Sequence, residues 1–140
     1  MDTSDGICEE DWAVIVKHAE EVVNCTGLDL DSSLVKKRLI RALDKLEIKY
    51  GRIPTILSTK ADYVDNKSMK ISLLKEAYLS ACEISDFKNR VFISSTMSEF
   101  YLEASDLLRT RYWLDRLKED LEGYPDEYFK GIYLEILGKL

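Results

Sequence analysis

Few side chains in this sequence could do covalent or metal chemistry. His18 is the only histidine, and Cys25 follows it by seven residues. Zinc is held by four ligands that usually come as closely spaced pairs, and the three cysteines, Cys8, Cys25 and Cys82, form no C-x-x-C pair. A Cys–His nucleophilic pair would need a supporting local motif, and none surrounds either residue. The stretch "DLDSS" from Asp29 opens like a calcium loop. Its sixth position is Leu34 and its twelfth is Ile40, where such a loop needs glycine and a bidentate glutamate. Asp62 and Asp65, one turn apart, read as a solvated helix end. Glycine-rich phosphate loops, G-x-S-x-G and H-E-x-x-H are absent. The expectation is a non-catalytic protein with no cofactor and no metal.

Charge is more informative. The net charge is −6, but residues 1–31 carry nine acids and one lysine, net −8, while residues 32–52 carry seven bases and two acids, net +5. Residues 53–114 balance, and 115–140 come to −3. Overall acidity argues against general nucleic-acid binding, which draws its affinity from phosphate neutralisation. It favours a basic protein partner, steered in by its charge. Within the basic segment, Lys37, Arg41, Lys45 and Arg52 could line one side of a helix. They make it the best nucleic-acid candidate in the chain, although no aromatic residues interleave with them.

Aromatic residues are skewed towards the C-terminal half, where ten of the fourteen lie between Phe87 and Tyr133. Tyrosine, tryptophan and arginine dominate interface energetics. Tyr101, Tyr112, Tyr124 and Tyr128, interspersed with Asp115, Glu119, Asp120 and Asp126, therefore suggest an acidic–aromatic patch for a basic partner. Trp113 and Phe92 are expected in the core.

The elements that would position these residues are helices. Only two prolines and six glycines occur in 140 residues, and apolar residues recur at spacings of three and four rather than two. Seven helices are predicted: Glu9 to about Cys25, Ser33 to Tyr50, Pro54 to about Val64, about Met69 to Ile84, Phe87 to about Ala104, Leu107 to about Leu121, and Asp126 to about Gly138. Gly27 is expected to end the first in the left-handed conformation, Gly51 to end the second, and Asp86 and Ser105 or Asp106 to cap the fifth and sixth. On the first helix Trp12, Ile15, Val16, Ala19, Val22 and Val23 should face inward; on the second, Leu34, Leu39, Ala42, Leu43, Leu46 and Tyr50; on the fourth, Leu74, Ala77, Tyr78 and Ala81. The length fits one domain. The acidic N-terminus does not read as a signal peptide, and no apolar run approaches the ~20 residues that span a bilayer. With the odd number of cysteines, this points to a cytoplasmic setting.

A period near 35 residues is also visible. Ala42 aligns with Ala77 and Leu46 with Ala81, and a further shift brings Ala61 onto Ser98, which is followed by Tyr101 three residues on. The pattern, over residues 33–121, resembles the tetratricopeptide repeat, in which small residues on paired helices pack against one another. Trp113 departs from it by placing a bulky residue where a small one belongs. The resemblance implies stacked helix hairpins with a concave surface that holds a peptide. In size and acidity the chain is also similar to small bacterial immunity proteins, which cover a basic toxin or nuclease. The sequence thus predicts an all-α domain, either a hairpin stack or an irregular bundle, that binds another protein. The leading expectation is an antagonist of a basic partner, and the alternatives are a peptide-holding adaptor and a nucleic-acid regulator.

Overall fold

The computed structural model describes residues 1–140. The chain is all-helical, with α1 Glu9–Gly27, α2 Ser33–Tyr50, α3 Pro54–Asp62, α4 Lys67–Glu83, α5 Phe87–Glu103, α6 Leu107–Gly123 and α7 Glu127–Lys139. It divides into two compact units, Met1–Leu73 and Leu74–Leu140, with the boundary falling inside α4. No helix is long and apolar enough to cross a membrane.

In the first unit, α1 packs on α2 and α2 on α3. Ile15 and Val22 of α1 meet Leu39, Leu43 and Leu46 of α2 and Ile56 of α3 in one core. The residues before α1 complete it. Ile7 is fully buried, and Asp5 accepts hydrogen bonds from the Thr55 amide and hydroxyl, both at 2.7 Å. The start of α1 is tied to the end of α2, which makes the pair antiparallel. The Tyr50 hydroxyl donates to Asp11 at 2.6 Å and accepts from the Cys8 amide at 3.2 Å, while Lys49 reaches Asp11 at 2.7 Å. These hydrogen bonds from Lys49 and Tyr50 draw the Asp11 carboxyl down to a pKa of about 2. Leu34, Val16 and Val23, expected inward, are exposed instead. A core between two helices needs only a narrow stripe from each, so apolar residues on the flanks of that stripe stay outside.

In the second unit, α5 and α6 form the main pair and α7 packs against both. Val91, Leu114, Leu117, Leu121 and Ile136 make the core, with Tyr124, Phe129 and Tyr133 packed around it. Helix α5 is buried over most of its circumference: Val91, Ile93, Ser94, Ser95, Met97, Ser98 and Tyr101 are all inaccessible or nearly so. Two of its serines can be buried because the Ser94 hydroxyl reaches the Arg90 carbonyl and Ser98 donates to the Ser94 carbonyl, both at 2.8 Å; the Ser95 hydroxyl is buried with no partner. Phe92, expected in the core, is 39 % exposed and meets Phe129 edge to face. On α4, Leu74, Ala77, Tyr78 and Ala81 are all buried as their spacing predicts.

The helix ends explain the boundaries. Asp86, Asp106 and Asp126 each accept a hydrogen bond from the amide three residues on, at 3.1–3.2 Å, and so start α5, α6 and α7. Gly51, at φ 87°, ends α2 as expected. Gly27 does not end α1 in the left-handed region; the helix includes it, and Asp29 takes φ 57° two residues later. Ser85 and Ser105 take the same conformation after α4 and α5, at φ 55° and 57°. In all three turns the next amide bonds back to a carbonyl five residues earlier, as Asp86 does to Ala81 at 2.8 Å. An L side chain at positive φ is strained by about 1–2 kcal/mol. Ser105→Gly should therefore stabilise the protein by about 0.5–1 kcal/mol after the entropy glycine adds to the unfolded chain, read as a higher thermal midpoint. Ser72→Gly, on an exposed interior position of α4, should lower it.

Candidate functional site: a cationic–aromatic groove

A groove of about 670 Å³ runs along α4, α5 and α6 in the second unit. Helix α4 contributes Lys75, Tyr78, Leu79 and Cys82, and α5 contributes Arg90 and Tyr101. Helix α6 contributes Leu108, Arg109, Tyr112, Trp113 and Arg116, which recur every three or four residues and so share one face. The lining holds four cations and no carboxylate.

A buried ionic knot beneath the groove holds it in shape. Asp120 is fully buried one turn beyond Arg116. One of its oxygens accepts from Arg90 Nε at 2.9 Å and Nη2 at 2.8 Å; the other accepts from the Tyr78 hydroxyl at 2.9 Å and shares, at 3.0 Å, the Ser94 proton that also reaches the Arg90 carbonyl. Four donor contacts compensate a carboxylate that would otherwise be costly to bury. Burial and then the neighbouring Asp120 charge push the Tyr78 phenol well above its usual range, so it stays a donor. Arg90 is held by this carboxylate and by the Phe87 ring, 4.6 Å below its guanidinium carbon.

The walls repeat that arrangement. Arg116 lies over Tyr112 at 5.0 Å and Arg109 over Tyr101 at 5.8 Å. Trp113 meets Tyr78 and Tyr112 edge to face at 5.1 and 5.4 Å. Arg109 also pairs with Asp106 at 2.6 Å and Arg116 with Glu119 at 3.3 Å. Both are exposed pairs one turn apart, of a kind worth only about 0–1 kcal/mol. A ligand carboxylate can therefore replace either partner. Lys75 has no carboxylate within ion-pair distance. At the rim Leu79 and Leu108 are 65 % and 88 % exposed.

The eight residues proposed from sequence as an acidic–aromatic patch are dispersed by the fold. Tyr101 and Tyr112 line the groove. Asp120 lies under it and is neutralised there, so it presents no surface to a partner. Asp115 and Glu119 are exposed on α6, Glu119 engaged by Arg116. Tyr124 packs on the core, Asp126 caps α7, and Tyr128 is exposed with its ring against Phe129. The charged side chains lining the groove with these aromatics are cations, three of them paired with carboxylates that lie outside the lining. The missed residues, Lys75, Arg90, Arg109 and Arg116, had a readable signal: Arg109, Trp113, Arg116 and Asp120 fall at i, i+4, i+7 and i+11 on α6.

Elsewhere, His18 is half-buried on α1 with its Nδ1 unbonded and 3.8 Å from Glu21. Comparison with protein-family models, with curated proteins and with solved structures returns no match.

Proposed function

We propose that the protein is a non-catalytic binding module that holds an acidic segment of a partner protein in the groove of its second unit. The observation that carries this reading is the lining itself: Lys75, Arg90, Arg109 and Arg116 around Tyr112 and Trp113, with no carboxylate among them. Arg109 and Arg116, already stacked on Tyr101 and Tyr112, and Arg90, braced by Asp120, lose little entropy on pairing with a ligand carboxylate, which favours binding. The exposed Leu79 and Leu108 would take apolar side chains of the same segment. This is the peptide-holding adaptor that the repeat resemblance implies, with the charge of the ligand now specified.

Fluorescence anisotropy against a panel of labelled ten-residue peptides tests it, with Asp/Glu–Leu/Phe sequences set against Lys/Arg counterparts. Acidic peptides should bind, more weakly as salt rises, and Lys75→Glu with Arg116→Glu should weaken them by about 10–100-fold. Equal binding of the basic peptides, or indifference to the double substitution, would refute the reading.

A second reading, an antagonist of a basic toxin or nuclease like the small immunity proteins, is favoured by a different surface. One flank of α1 carries Glu9 and Glu20 beside exposed Val16 and Val23, an acidic and apolar strip. A basic partner whose affinity falls on Glu20→Lys and Val23→Asp, and not on groove substitutions, would favour that reading over the first.

A further inference from the structure

Charge in the first unit is divided between two adjacent helices on one face. A second groove, of about 470 Å³, runs between α1 and α2 over an apolar floor that includes Val14 and Leu46. Its α2 wall carries Arg38, Arg41, Lys45 and Lys49. Lys49 is taken up by Asp11, and Arg52 and Lys60 of the same unit are bonded to Glu47. Arg38, Arg41 and Lys45 have no carboxylate within ion-pair distance. The α1 wall has the opposite character: Glu10 lies one turn before Val14 and Glu21 one turn after His18, on the same flank. Glu10 is exposed and likewise unpaired.

An acidic foreign partner or a nucleic acid drawn to the α2 cations would be repelled by Glu10 and Glu21 alongside them. A second copy of this chain would not. A twofold axis running along the hairpin, between its helices, lays α1 of each copy over α2 of the other. The Asp11–Lys49 pair fixes the level of the two helices. Glu10 then falls level with the other copy's Lys45 and Lys49, and Glu21, about 16 Å further along α1, falls level with Arg38 and Arg41. Val14, half exposed, and the apolar floor would be covered at the centre.

We infer that the α1–α2 face is a self-complementary surface through which two copies associate as an isologous dimer, pairing Glu10 and Glu21 of one with Arg38, Arg41 and Lys45 of the other. Two helices of 19 and 18 residues side by side offer a footprint on the order of 28 by 20 Å, roughly 1,100 Å² counted over both copies, at the lower edge of specific interfaces. The dimer is therefore dissociable and dependent on its charges.

Sedimentation equilibrium of the full chain tests this at about 0.05 M and about 0.5 M salt, where screening lengths differ roughly threefold. The wild type should dimerise, with the dissociation constant rising at least about tenfold at the higher salt. Arg38→Glu with Arg41→Glu, and separately Glu21→Lys, which the same register places opposite them, should each weaken the dimer by about 10-fold or more. Circular dichroism should show both variants folded. Mixed in equal amounts, the two variants should form a heterodimer, because each reversed wall then meets a reversed partner. A wild type that stays monomeric, a dimer that ignores salt and both charge reversals, or variants that fail to rescue one another would overturn the inference. So would an oligonucleotide that binds the wild type, is lost on Arg38→Glu with Arg41→Glu and leaves association unchanged.

Discussion

Asp120→Ala is expected to destabilise the second unit by about 3–5 kcal/mol, because it leaves the Arg90 guanidinium and the Tyr78 hydroxyl without their shared acceptor. Most of that loss is the penalty of an uncompensated buried cation rather than the net worth of the pair. Two controls separate these contributions. Asp120→Asn keeps the volume and one acceptor, and should cost less. Arg90→Met with Asp120→Leu removes both charges, leaves an apolar contact, and should recover much of the stability of Asp120→Ala. Urea unfolding midpoints at constant slope measure all three. If Asp120→Ala cost under about 1 kcal/mol, the knot would not be the brace described above. The same substitution should weaken peptide binding in the protein that remains folded, since Arg90 then loses its fixed position.

Gly123→Ala is the second large effect. A Cβ built on Gly123 would lie within 2.6 Å of three carbons of the Phe87 ring, including Cγ near its root, so no small rotation of the ring tip relieves it. Overpacking of this kind costs about 1–3 kcal/mol or more, against a gain of about 1 kcal/mol in helix propensity. A net loss of about 2 kcal/mol is expected, and Phe87 must shift away from Arg90, which rests on it. The cause is checked in a Phe87→Leu background, where Gly123→Ala should become neutral or mildly stabilising. A loss that persists unchanged there would place the strain elsewhere.

The helices were legible because their ends are written in short side chains. Asp86, Asp106, Gly51 and Pro54 set boundaries at or within a residue of those observed. Glycine misled once: at Gly27 the sequence offers an easy stop, yet α1 continues to it and the left-handed turn falls on Asp29. The inward face of α4 was readable from Leu74, Ala77, Tyr78 and Ala81. On α5 the buried face includes three serines: the hydroxyls of Ser94 and Ser98 turn back onto the helix, and that of Ser95 has no partner.

The site was half legible. Counting aromatics located the half of the chain that holds the groove, and Tyr101 and Tyr112 are in it. The charges around those aromatics could not be sorted in advance, since a run such as "RYWLDRLKED" lists acids and bases together. Helix geometry separates them: Arg109, Trp113 and Arg116 turn to the groove, Asp115 turns out to solvent, and Asp120 turns under the floor. Burial of one carboxylate changes the chemistry of the whole surface, and a net charge cannot report it.

The groove and the charge-divided α1–α2 face lie on different units, so their tests are independent. Loss of self-association in Arg38→Glu with Arg41→Glu should leave peptide binding intact, and Lys75→Glu with Arg116→Glu should leave association intact.

Binding of an acidic segment in the groove of the second unit can be read by side-chain nuclear magnetic resonance. The two tryptophans report on the two units, Trp12 in the first and Trp113 in the groove. On titration with the tightest acidic peptide of the panel, the Trp113 indole N–H and the Nε–H signals of Arg90 and Arg116 should shift together in a saturable way, while the Trp12 indole stays in place. A peptide that shifts Trp12 and leaves Trp113 and both arginines unmoved would rule out the groove as its binding site.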